Sequence, residues 1–182
     1  MSENVAQDAN YNPYAGVQPV APGNAPARPM TVEMAFWLLL AAAALVLIRI
    51  PVGIMAVNKD DHKSEIESFL GPDNVPIWIR NEISDYVWAG VITAVILAAI
   101  ALLSRMGFGW PRIVLIFVVI FTALNTRVQF FASVIPVYET AWVTLASVLL
   151  SLVAAVLLFL APSGAYFKSM GQYRKGKKAV QA

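Results

Sequence analysis

The chain reads as an all-α protein: a membrane-embedded four-helix bundle with a short extracytoplasmic helical loop between helices 1 and 2. Three observations carry this. Charged residues make up only 13% of the 182, against 59% hydrophobic, where a soluble domain has about 25% charged. The apolar residues gather into four blocks of about 20, the length that crosses ~30 Å of hydrocarbon as a helix. Basic residues are concentrated in alternate connecting segments, as the positive-inside rule requires of a multi-pass chain.

Residues 1–30 form the first region. The stretch NYNPYAGVQPVAPGNAPARP (10–29) is rich in Pro, Gly, Asn and Ala and has almost no aliphatic bulk. It cannot bury enough apolar area to offset its ordering entropy and is expected to be an unstructured cytoplasmic tail. A docking role for Tyr11, Pro13 and Tyr14 is the alternative. No short apolar run follows a basic start, so a cleavable signal peptide is not expected.

The transmembrane domain is expected over 31–167, with spans at about 34–57, 86–103, 113–132 and 140–161. The third span is interrupted by Asn125, Arg127 and Gln129. Residues 58–85 carry Lys59, Lys63 and Arg80 against seven acids, a net charge of −4. Arg28, Arg105, Arg112 and the basic residues after span four fall on the opposite side, which places both termini in the cytoplasm of a plasma (inner) membrane protein. Aromatic residues sit where belts are expected: Phe36, Trp37, Trp110, Tyr166 and Phe167 on the inner side, and Tyr86, Trp88, Tyr138 and Trp142 on the outer.

Within the outer loop, KSEIESFL (63–70) predicts a short helix ended by Gly71 and Pro72. A second helix should start near Asn74–Pro76, with Asn as cap and Pro in the first turn, and run into span two. Val75, Ile77, Trp78 and Ile79 would let its start lie at the outer interface.

Two features of the spans stand out. Gly90, Ala94 and Ala98 in span two, and Ser147, Ser151 and Ala155 in span four, recur every four residues. Each set should form one close-packing face, serving internal packing or a contact with another subunit. Short connections should make sequential spans antiparallel neighbours. The second feature is a pair of charges: Arg49 lies fifteen residues into span one and Arg127 fourteen into span three. At ~1.5 Å per residue both stand roughly 21–23 Å along, in the outer third. A charge there costs about 2.5–3.5 kcal/mol on insertion scales unless it has a partner or an escape. A polar cluster of Arg49, Arg127, Asn125 and Gln129, closed by Asp85 or Glu139, is one solution. Separate snorkelling to headgroups is the other. Pro51 adds a freed carbonyl near Arg49.

Other chemistry is sparse. There is no cysteine and one histidine, His62. With Asp60, Asp61 and Glu65 it could form at most a weak metal site, and a solvated acidic loop is expected instead. No nucleotide-binding, nucleophile-elbow or zinc-protease motif is present, so no cofactor, no metal and no enzymatic activity are expected. The terminal region 168–182 is expected to be a basic cytoplasmic tail whose Lys168, Arg174, Lys175, Lys177 and Lys178 bind lipid headgroups, at about 1 kcal/mol per cation. Nucleic acid is not an expected partner, because the inner-side charge already accounts for these residues.

The layout resembles a group of small, mostly uncharacterised four-helix membrane proteins of actinobacteria. The shared features are the Pro/Gly/Asn/Tyr-rich start, the acidic first outer loop and the LAPSGAYFKS end (160–169). The resemblance implies no active residues. It implies an accessory or scaffolding role that binds a membrane-protein partner or membrane lipids. The rival expectation is a small transporter or channel subunit, homo-oligomeric, with an anion site at Arg49 and Arg127.

Overall fold

In the computed structural model, the backbone is described for residues 25–131 and 138–181, and side chains for 25–125 and 140–177. All regular elements among the described residues are helical. In order they are α1 (Met30–Val57), α2 (Asp60–Leu70), a single 3-10 turn (Pro72–Asn74), α3 (Val75–Arg105), α4 (Pro111–Phe131), α5 (Tyr138–Phe159) and α6 (Ala161–Gln181). Most of the tail expected to be unstructured lies outside the described residues, and Met30 already opens α1. Among the described residues, three helical segments, those of α1, α3 and α5, are long and apolar enough to cross a membrane, and α4 contributes a shorter apolar stretch over Pro111–Asn125.

Helix α1 is the common partner of the bundle. Its most extensive contacts are with α3 and α5, while α4 packs chiefly on α5 and much less on α3. Sequential neighbours are thus close for α1–α3 and α4–α5, but α3 and α4 meet only lightly despite their short connection. The reason is that α3 spends its small face on α1. A Cβ added at Gly90 would come within 2.8 Å of Ile50 Cγ1, and one at Gly53 within 2.9 Å of the Tyr86 ring. Only glycine permits that approach.

The buried stripe of α3 runs Tyr86, Gly90, Ala94, Leu97, Ala101 and Ser104. The strict four-residue pattern expected to include Ala98 gives way after Ala94: Ala98 is half-buried, and Leu97 and then Ala101 continue the seam. At about 100° per residue, two steps of four overshoot by about 80°, and a step of three brings the seam back. On α5, Ser147, Ser151 and Ala155 are all buried. Ser147 Oγ donates to the Ala42 carbonyl at 3.2 Å, joining α5 to α1 across the seam. Both small-residue faces are occupied within the chain itself. The centre is filled by Leu39, Leu97, Leu115 and Leu158.

Pro162 ends α5, since it has no N–H to continue the helix and suits the first turn of the next. Ser163 Oγ bonds the Leu157 carbonyl at 2.7 Å and meets Thr31 Oγ1 at 2.8 Å, so the break is tied to the start of α1. The expected basic tail is helical, forming α6 through Gln181. Its buried Tyr166 and Phe167, with Met170 partly buried, share one face. Gly107, with φ +82°, turns the chain between α3 and α4, and a Cβ there would lie 2.7 Å from Met170 Cγ. At the other end Asn74 holds the N-cap position of α3, but its side-chain amide donates back to the Leu70 carbonyl at 2.7 Å instead of capping.

Gly53→Leu should lower stability by about 1–3 kcal/mol through overpacking against Tyr86. Ala98→Leu, at a half-buried position, should cost less than about 0.5 kcal/mol. Unfolding by SDS titration in mixed micelles measures both, and equal losses would contradict the assigned seam.

Candidate functional site

The end of the α1–α3 seam nearest α2 holds the most unusual polar group. Arg49 projects from α1 with its guanidinium over the Tyr86 ring, Cζ standing 5.1 Å from the ring centre. Gly53, one turn further on, leaves room for that ring, and Gly90 admits Ile50 beside it. Arg49 Nε is buried and has no hydrogen-bond partner. Among the described side chains, the anchoring group is thus an aromatic face and not a carboxylate.

The expected cluster around Arg49 does not assemble among the described side chains. Asp85 is exposed and does not pair with Arg49. It precedes Tyr86 directly, so it stands about 100° round α3 from the face that Tyr86 presents to α1. Asn125 is also exposed, and its Nδ2 donates to the Phe121 carbonyl of its own helix at 2.8 Å. The side chains of Arg127, Gln129 and Glu139 lie outside the described residues.

The opposite end of the bundle gathers three arginines, each over aromatic rings. Arg105 Nη2 donates to Glu33 Oε1 at 2.8 Å, and its Cζ lies 4.4 Å from the Phe36 ring centre. Tyr166 donates its hydroxyl to the Arg105 carbonyl at 3.0 Å. Arg112 lies against both Phe159 and Phe167, at 5.2 and 5.6 Å. Arg174 covers Phe108 at 4.0 Å and donates to the carbonyls of Gly107 and Met170. Of the five basic residues expected at lipid headgroups, Arg174 is therefore engaged in holding α6 to the α3–α4 turn. Lys168, Lys175 and Lys177 are exposed, and the Lys178 side chain lies outside the described residues. The sequence signalled Arg105 and Arg112 only as inner-side charge. Their aromatic partners come from distant helices and left no local pattern.

His62 departs from the solvated loop expected for it. It is buried against α3, with Nε2 3.1 Å from Glu82 Oε2. Its spacing to Ile66 on one face of α2 was the available signal. Among the described residues no group of three or more His, Asp or Glu is placed to share a metal ion. A narrow cleft between α3, α4 and α5, with an internal volume of about 10 Å³, is lined by Thr93, Leu97, Val119, Thr122, Ser147 and Ser151. It is smaller than the ~300 Å³ at which small-molecule sites begin.

A cation–π contact contributes about 0.5–2 kcal/mol, and an unsatisfied buried donor costs about 1–3 kcal/mol. These nearly cancel at Arg49, so Arg49→Leu should change unfolding free energy by less than about 1 kcal/mol in the micelle titration. A loss above about 2 kcal/mol would assign Arg49 a structural partner beyond Tyr86. Arg174→Gln should act locally, raising amide exchange over α6 while the exchange of α1 stays unchanged. Uniform acceleration across the bundle would contradict a local clamp.

No protein-family model, curated protein or solved structure matches this chain, so the bearing of this geometry on function is carried by its own residues.

Proposed function

We propose that the chain is a polytopic inner-membrane protein of accessory or scaffolding type, which binds a membrane-protein partner or lipid. One observation carries the reading: the outward faces of the long helices are as apolar as their core. Ile48, Trp88, Val95, Phe117, Leu149 and Val153 are all exposed, a surface that water disfavours and hydrocarbon solvates. Trp37 and Trp110 are exposed toward the α6 end, and Trp88 and Trp142 toward the α2 end. That distribution supports two interfacial belts. With the inner-side arginines and the acidic segment of α2, it supports four spans with both termini in the cytoplasm.

The accessory role is supported by the packed core, where Leu39, Leu97, Leu115 and Leu158, one from each long helix, are buried in a single apolar cluster. A bundle with that interior acts through its surface. The exposed Lys168, Lys175 and Lys177 of α6 would face anionic headgroups at the inner surface. The resemblance to small actinobacterial membrane proteins points the same way. A second reading, an anion site of a transporter or channel subunit, draws on the unpartnered Nε of Arg49. Arginine suits bidentate recognition of phosphate or carboxylate.

Purification of the full chain in gentle detergent should recover a stable heteromeric partner in fixed ratio. A homo-oligomer alone, carrying anion flux in liposomes that Arg49→Leu abolishes, would replace this reading by the second. The cysteine-free chain also permits clean single-cysteine topology mapping. Asp61→Cys should react with a membrane-impermeant maleimide from outside intact cells, and Lys175→Cys only after permeabilisation. The reverse pattern would overturn the threading.

A further inference from the structure

We infer that the tip of the α2–α3 hairpin is a docking knob for an extracytoplasmic protein segment: an apolar groove rimmed by basic side chains. The inference rests on the membrane threading proposed above and names the partner surface for the accessory role.

The hairpin is a rigid mount. The inward stripe of α2 places His62 against Glu82 at 3.1 Å and buries Ile66 completely, at 0% exposure. The turn between the helices is fixed by three bonds. Gly71 N donates to the Glu67 carbonyl at 2.9 Å, Asn74 N to the Gly71 carbonyl at 3.3 Å, and Asn74 Nδ2 to the Leu70 carbonyl at 2.7 Å. Gly71 supplies the φ of +80° that the turn requires. On this mount the apolar stripe continues past the point that α3 can cover. Phe69 is 60% exposed, Ile77 52%, Trp78 45% and Leu70 39%. Four large apolar side chains exposed within ten residues, carried on hydrogen-bonded backbone, are of the kind that marks interaction sites.

Lengths decide against the bilayer as its occupant. Helix α3 is continuous over 31 residues, about 46 Å, against ~30 Å of hydrocarbon. Trp78 stands eight residues, about 12 Å, beyond Tyr86 at the outer belt. The headgroup layer is only about 5–7 Å deep, and a tilt of about 20° shortens the rise by less than 1 Å. The intervening turns carry Arg80, Glu82 and Asp85, a charged collar between patch and span. On this threading Ile77 and Trp78 stand in water beyond the headgroups, and not at the outer interface.

Charge selects the partner. Exposed Glu65, Glu67 and Asp73 surround the patch, and residues 58–85 carry a net charge of −4. A second copy would bring two like-charged tips together and is disfavoured, whereas a basic rim would be steered toward the knob.

The test uses the full chain in its native membrane. Trp78→Cys should first label with an impermeant maleimide from outside. Failure there overturns the threading and not the knob alone. A benzophenone photo-crosslinking residue is then placed at Phe69. The expected result is one discrete heteromeric adduct whose cross-linked peptide is apolar and flanked by Lys or Arg. The triple variant Glu65→Lys, Glu67→Lys, Asp73→Lys should lose that adduct at least ten-fold while its SDS unfolding curve is unchanged. Adducts to lipid, adducts to a second copy, no adduct, or an adduct insensitive to charge reversal would each overturn the inference.

Discussion

Helix α1 must lie close to α3 and α5 at the same time, and the arrangement of everything else follows from that. Close approach on two sides requires small side chains on two faces. Ala35, Ala42, Ala43, Gly53 and Ala56 supply them on α1 and are all buried. Gly90, Ala94 and Ala101 answer from α3, and Ser147, Ser151 and Ala155 from α5. In the membrane setting proposed for this chain, where lipid tails are as apolar as leucine, van der Waals fit of this kind would be the main attraction between helices. The serines add hydrogen bonds without bulk, as Ser147 does to the Ala42 carbonyl. Because α3 and α5 commit their small faces to α1, α4 is left to cover one side of α5. It shows its broad apolar side, including Phe117 and Phe121, outward.

The same economy of acids shapes the ends of the bundle. Arg49, Arg105, Arg112 and Arg174 each lie over an aromatic ring, and of these only Arg105 also has a carboxylate partner in the described structure. A guanidinium is weakly hydrated and planar, so it stacks where an ammonium would not, and the ring quadrupole stabilises it without a second buried charge. Lysine at these positions would keep the charge and lose the plane. Phe36, Tyr86, Phe108, Phe159 and Phe167 thus act as arginine platforms, while the tryptophans of the expected belts remain outside. The two roles separate cleanly by residue type.

What could be read from the residues alone was whatever depends on local sequence. Unbroken apolar length marked α1 and the apolar part of α3 as long helices, although α1 begins at Met30 and not Met34, and Gly71 with Pro72 marked the end of α2. The helical state of 168–181 was not legible, because that segment is polar and contains two glycines, Gly171 and Gly176. Its order depends on Tyr166, Phe167 and Arg174 meeting a surface built 60 residues earlier. The environment of Arg49 was half legible. Counting along the helices put Arg49 beside the start of span two, where Tyr86 meets it, but level does not give rotation. One residue's turn gives the position to Tyr86 and sends Asp85 to the surface. His62 illustrates the same limit, since its burial depends on the return of α3 alongside α2.

The contact between Ser147 and Ala42 spans 105 residues of chain. At about 5–20 residues per second of synthesis, the second face of α1 waits roughly 5–20 s for the helix that covers it. During that interval the partner already present is α3, so an antiparallel α1–α3 hairpin must persist as a nascent species. Its alanine-lined flank is open to any other helix small enough at the surface to fit. Prompt arrival of α5 is therefore a kinetic requirement, and delay on the ribosome between 111 and 140 is where mispairing of this chain would begin.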